Sequence, residues 1–248
     1  ERFDEAADYF CAALERCPEY GRAHNGLAKS LEGKRMRVNV HREEDSLHFA
    51  AQIMPEIASM DTFVINWSSL SPRHRKQVAL AVEPWKLYIP ALVESGHRYY
   101  IKPLHERLSE SPGLETLKDK RINYDSRLWD DVRGCGGYTT VTGIEDVERS
   151  IYANYNTVLH ELTHQVHGVF PPEDAQRLTD RYREARNLEA ADKKVFMSQY
   201  QASSVWEYFA EGANGYYSPR RDKYDTREIV RERLFELDTT LVRLVEHY

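Results

Sequence analysis

His160-Glu161-Leu162-Thr163-His164 is the stretch that decides how this chain is read. Residues four apart on an α-helix differ by roughly 40° around the axis, so the imidazoles of His160 and His164 leave one face and can share a metal ion. Glu161 stands roughly 60° further round. There its carboxylate reaches a water on the metal rather than the metal itself, which suits a general base. A Zn²⁺ ion so held lowers the pKa of that water to about 7, which makes hydrolysis accessible at neutral pH. Tyr152, Tyr155, Val158, Leu159, Leu162 and Val166 surround the motif, and Gly168 followed by Pro171-Pro172 stops it, so one helix over 150–168 is expected. The competing reading is a surface amphipathic helix whose histidines only meet solvent.

A catalytic zinc takes three protein ligands, and the motif supplies two. His167 returns to nearly the same helical face, but it sits about 10 Å along the axis from His160 and fits a helix-end histidine better than a ligand. The extended pattern H-E-x-x-H-x-x-G-x-x-H fails, because His167 stands where its Gly belongs and Phe170 where its last His belongs. The run 205–212, V-W-E-Y-F-A-E-G, offers more. Its helical spacing stacks Glu207 and Glu211 on one face among Trp206, Tyr208 and Phe209. A solvated acidic face is the bland alternative, but carboxylates buried among aromatics need a partner. Glu207 binding zinc, with Glu211 one turn on accepting from the free ring nitrogen of a ligand histidine, gives both carboxylates one. Glu211 is the candidate to exchange with Glu207.

On these residues the sequence resembles the gluzincin zinc metallopeptidases. Tyr200 followed by Glu207-Tyr208-Phe209-Ala210-Glu211 is similar to the Tyr-x6-Glu-(Phe/Tyr)-Phe-Ala-Glu arrangement of the family of the anthrax lethal factor catalytic domain and the Pro-Pro endopeptidases. The resemblance covers 160–211. It implies an α+β, zincin-like metallopeptidase domain with a small edge sheet and active-site helices. It also implies a Zn²⁺ cofactor on His160, His164 and Glu207, with Glu161 as general base and Glu211 supporting the site, and a Tyr200 hydroxyl that assists the tetrahedral intermediate. On residue chemistry alone a phenol aimed at a developing oxyanion donates without adding charge. Tyr216 and Tyr217 are alternatives for that part.

The 248 residues suffice for one large domain or a catalytic domain with an appendage. A formal net charge of −6 argues against a nucleic-acid partner, and the basic clusters Arg73-His74-Arg75-Lys76 and Arg220-Arg221 read as solvated faces. No apolar run approaches the ~20 residues of a membrane span, so no membrane role is expected. Cys11, Cys17 and Cys135 are odd in number and lack metal spacing, which implies neither a disulfide framework nor a cysteine zinc site and favours a reducing, cytoplasmic compartment. A targeting segment can precede a chain that starts inside a longer protein.

Two regions are expected. Within 1–60, Ala6, Phe10, Ala13 and Pro18, then Ala23, Leu27, Ala28 and Leu31, resemble half of one tetratricopeptide repeat joined to half of the next, a short α-helical repeat-like segment preceding the catalytic domain. A plain helical hairpin is the alternative, and a helix over 43–59 follows. Such a segment would serve a protein partner.

The region 61–248 is expected to be the metallopeptidase domain. It should carry a helix over 72–93 interrupted at Pro84 and Pro90, strands at 98–104, 121–124 and 138–142, and helices at 172–191, 205–216 and 226–246. The glycines in Arg133-Gly134-Cys135-Gly136-Gly137 lack the Lys-Ser/Thr of a phosphate loop. They flank instead an edge strand over 136–143, on which an extended peptide can add.

The leading expectation is a zinc-dependent peptidase acting on a peptide or protein substrate. Its rivals are a zinc hydrolase of a non-peptide amide or ester, and a non-catalytic helical scaffold that has lost its metal. The intact Glu161 speaks against the last.

Overall fold

A computed structural model of the chain describes residues 3–35, 38–122, 127–153, 155–220 and 227–248. Two compact units emerge, dividing between Gln52 and Ile53. This lies before the boundary expected at 60/61, because Met60 and Ile57 already pack into the core of the second unit.

The first unit is three helices, α1 (Phe3–Arg16), α2 (Gly21–Arg35) and α3 (Val38–Ala51). The turn between α1 and α2 closes through Tyr20 N–H to Cys17 C=O at 3.1 Å. Phe10 lies so close to Gly26 that a Cβ there would come within 2.2 Å of its ring, so the glycine permits the approach of α1 to α2. α3 ends at Ala51 rather than near residue 59, since Pro55 lacks an N–H and disfavours helix at the residue before it.

The second unit is built on α4 (Met60–Phe63), α5 (Pro72–Val82), α6 (Ile89–Glu94), β1 (Arg98–Lys102), β2 (Thr139–Gly143), α7 (Ile144–Ala153), α8 (Thr157–Gly168), α9 (Pro172–Ala190), α10 (Val205–Tyr216), α11 (Arg231–Leu237) and α12 (Thr239–His247). It is an α+β arrangement in which helices dominate. Ser71 caps α5 by accepting from His74 N–H, with Pro72 at the first helical position. Pro84 and Pro90 break the stretch after α5 into a 3₁₀ turn, Glu83–Tyr88, and α6. That break leaves Trp85 buried, with its indole N–H on Thr163 Oγ1 at 2.9 Å, so the middle of the H-E-L-T-H helix is held from behind.

β1 and β2 pair in parallel, with Arg98 opposite Thr139 and Lys102 opposite Gly143. Neither strand has a bare outer edge. Val64 bridges Tyr99, and the Asn66 amide brackets Ile101, accepting from its N–H and donating to its C=O. On the other side Cys135 exchanges both backbone hydrogen bonds with Val141, at 3.1 and 2.9 Å. The expected edge strand over 136–143 is therefore corrected: the strip 134–136 covers that side of β2, and the strip itself is the edge. Gly134 makes this pairing fit, since a Cβ there would lie 2.6 Å from Val141 C=O.

Three further expectations change. The strand at 121–124 is reduced to a single bridge between Arg121 and Leu128, and residues 123 and 124 lie outside the described residues. The helix expected over 150–168 is two, α7 and α8, because Asn156 turns out of the helix and caps α8 through Leu159 N–H. The terminal helix expected over 226–246, whose first residue lies outside the described residues, divides at Asp238 into α11 and α12. Asp238 caps α12 through Leu241 N–H while pairing with Arg181 at 2.6 Å and accepting from the Tyr208 hydroxyl. Among the described residues no helix is long and apolar enough to cross a membrane.

Candidate metal centre

α8 and α10 pack side by side, and each carries half of the site. His160 and His164 lie one turn apart on α8, with ring planes at 90° and Nε2 atoms 3.2 Å apart. From α10, Glu207 Oε2 reaches 3.0 Å from His160 Nε2 and 3.6 Å from His164 Nε2. Four ligands at the 2.0–2.2 Å typical of zinc on a tetrahedron would stand roughly 3.3–3.6 Å apart. The three observed edges bracket that spacing.

The donor set also fits the ion chemically. Glu207 Oε2 is buried and makes no well-aligned hydrogen bond despite its closeness to His160. It stands within 3.6 Å of both Nε2 atoms. Burial alone would raise the Glu207 carboxyl, but the two imidazoles outweigh it and hold it down to about 2. Zn²⁺ takes an ionised carboxylate with deprotonated imidazole nitrogens; burial lowers His160, but Glu207 and Glu211 outweigh it and raise it to about 9, so binding the ion displaces that proton.

Glu161 follows His160 on α8 and is partly buried. Burial raises its carboxyl above the ordinary range, with His160 and His164 opposing. The strip beside β2 passes over it: a Cβ on Gly136 would lie 3.5 Å from Glu161 Oε2. Burial, then Glu161, pushes the neighbouring Cys135 thiol up to about 12.

Tyr200 is 55% exposed, yet its ring stacks on that of His160 at 6.1 Å between centroids. The turn carrying it is closed by Ser203, whose N–H and hydroxyl both bond Tyr200 C=O. Desolvation, then Glu207, Glu161 and Glu211, raise its hydroxyl. The phenol is thus a neutral donor at the mouth of the site. The alternatives point elsewhere, Tyr216 to Glu246 at 3.1 Å and Tyr217 onto the Tyr216 ring.

Glu211 is buried behind His160. Its expected contact with the free ring nitrogen is 3.4 Å. A closer group stands between, since the Tyr155 hydroxyl lies 3.0 Å from His160 Nδ1 and donates to Glu211 Oε1 at 2.7 Å. In the sequence Tyr155 is one aromatic among those flanking the motif, and no spacing rule distinguishes a hydroxyl five residues before His160.

His167 is not in the cluster. Its ring packs on Trp206 at 4.1 Å, Phe170 and Phe209, and burial lowers it to about 4. It is a neutral core histidine whose Nδ1 is buried without a hydrogen bond.

Among the curated proteins compared with this chain, none matches. Among solved structures, the Pro-Pro endopeptidase of Paenibacillus alvei is similar at 19% identity, covering 68% of this chain and 92% of that one, with a TM-score of 0.45. Residues 90–233 match the family described as anthrax toxin lethal factor, N- and C-terminal domain. That span is more than half of the 248 residues and contains every member of the site just described. The chain therefore belongs to the anthrax toxin lethal factor family.

Proposed function

We propose that this chain is a zinc-dependent peptidase in which His160, His164 and Glu207 hold the ion and Glu161 is the general base. The observation that carries the reading is the convergence of three ligand atoms within 4.8 Å of one another beside a partly buried carboxylate. When bound, zinc supplies Lewis acidity, which polarises a carbonyl and makes water acidic enough to be deprotonated at neutral pH.

The remaining work falls to the chain's own groups. Glu161 takes one proton from the attacking water and returns it to the amide nitrogen as the C–N bond breaks, leaving a carboxylic acid and an amine, between which the acid's proton then passes to give a carboxylate and an ammonium. A carboxyl raised by burial is better matched to that exchange than an ordinary Glu, because the best proton carrier has a pKa near the working pH. Tyr200 donates its hydroxyl hydrogen to the oxyanion of the tetrahedral intermediate, a bond worth more there than to the ground-state carbonyl. A peptide in extended form would lie along the strip 134–137, whose small residues leave Glu161 open to it.

The test pairs metal analysis with cleavage of a peptide library. The wild-type chain should hold one zinc and cut peptides. Glu161→Gln should keep the zinc and lose turnover, since the amide preserves shape without the base. A chain that binds no zinc, or an active Glu161→Gln, would sink this reading.

A further inference from the structure

Two residues in the break before the zinc helix are tied to two residues of the glutamate helix. Tyr155 bonds Glu211, and Asn156 bonds Asn214, three residues further along α10. The second tie is double. Asn214 Oδ1 accepts from Asn156 N–H and Nδ2 donates to Asn156 C=O, both at 3.1 Å. That same carbonyl receives His160 N–H at 3.0 Å, the first helical bond of the ligand residue. Asn214 is fully buried, so its amide holds the start of α8 away from solvent competition.

The first tie has a direction. The single hydroxyl hydrogen of Tyr155 goes to Glu211 Oε1 at 2.7 Å. The Tyr155 oxygen then accepts from His160 Nδ1–H at 3.0 Å. In the neutral ring that takes a metal, Nδ1 then carries the one proton and Nε2 keeps its lone pair, and Nε2 is the atom facing His164 and Glu207.

We infer that Tyr155 is a positioning residue, which fixes the tautomer and ring angle of His160 while the Asn156–Asn214 pair fixes its backbone, so that α8 and α10 present one preformed metal site. The inference rests on the proposal that the site holds zinc. It explains why the chain leaves the helix at Tyr155 and Asn156. A continuous helix would engage the Asn156 N–H internally, and Asn214 would lose that partner.

The experiment measures zinc affinity of the full chain by competition with a chromophoric chelator, beside the melting temperature of the metal-free protein. Tyr155→Phe should weaken zinc binding about 10- to 100-fold while the metal-free melting temperature stays near wild type. In the Glu211→Ala background the same substitution should cost much less, because the acceptor of the Tyr155 hydroxyl is already gone. Asn214→Asp keeps the shape but turns an oxygen onto Asn156 C=O, and it should weaken zinc in the same direction. Unchanged zinc affinity in Tyr155→Phe, or fully additive losses with Glu211→Ala, would overturn the inference. So would a lower metal-free melting temperature with affinity intact, which means packing alone. A wild-type chain without zinc would instead bring down the zinc reading itself.

Discussion

Glu207 and His160 meet from different helices, with Oε2 and Nε2 3.0 Å apart. Two corners of the candidate site therefore come from one turn of α8, while the third depends on how α10 is docked.

Removing the third corner should cost the most metal. Glu207→Ala is expected to lose zinc on dilution, Glu211→Ala to weaken it about 10- to 100-fold, and His167→Ala to leave it near wild type. Zinc per chain after dialysis against a weak chelator ranks the three. A His167→Ala chain that loses zinc while Glu207→Ala retains it would reverse the assignment.

Tyr200→Phe tests the oxyanion donor. The hydroxyl lies in the field of Glu207, Glu161 and Glu211 and is absent from the metal triangle, so zinc content and KM should stay near wild type. The kcat should fall roughly 10²- to 10³-fold, the cost of a lost oxyanion donor. Steady-state kinetics on one cleaved peptide decides it. A normal kcat with zinc bound would remove Tyr200 from the reaction.

The parts legible in the sequence were those in which periodicity and chemistry coincide. H-E-L-T-H and E-Y-F-A-E gave two helix faces, and α10 and α9 lie within a residue of their expected bounds. The breaks were harder. Asn156 and Asp238 are capping residues inside apolar periodicity that reads continuously, and their side-chain bonds outweigh propensity only once Asn214, Arg181 and Tyr208 arrive from distant segments. Cys135 against Val141 is likewise a tertiary fact. The glycines around it announce a close approach without saying to what.

Acid should loosen the sheet end of the site through Glu145. Arg133 pairs with Glu145 and also donates to Glu106 C=O at 2.9 Å and Pro103 C=O at 3.1 Å. Burial tends to raise the Glu145 carboxyl, but the Arg133 pair prevails and holds it below its ordinary value. A depressed folded pKa contributes stability that is fully present above about pH 4.3, the unfolded value, and is lost as pH falls through the folded one. Glu145→Gln should therefore melt lower at neutral pH and show a shallower decline below about pH 4.3. Parallel melting curves for the two proteins across that range would show that the pair contributes nothing.

The two glycines flanking Cys135 should fail in different ways. At Gly134 a Cβ would stand 2.6 Å from the backbone oxygen of Val141, so Gly134→Ala must push the strip off β2. It should lower the melting temperature and activity together. At Gly136 a Cβ meets only Glu161 Oε2, at an ordinary 3.5 Å, and the backbone there is not in the left-handed region. Gly136→Ala should accordingly fold and work nearly as wild type. Gly136→Val places methyls over the Glu161 carboxylate, the proposed general base, so kcat/KM should drop at least about tenfold while the melting temperature and zinc content hold. Melting curves and kinetics on the three variants separate the outcomes. If Gly136→Val turns over peptides normally, substrate does not pass between the strip and Glu161, and the path along 134–137 is wrong.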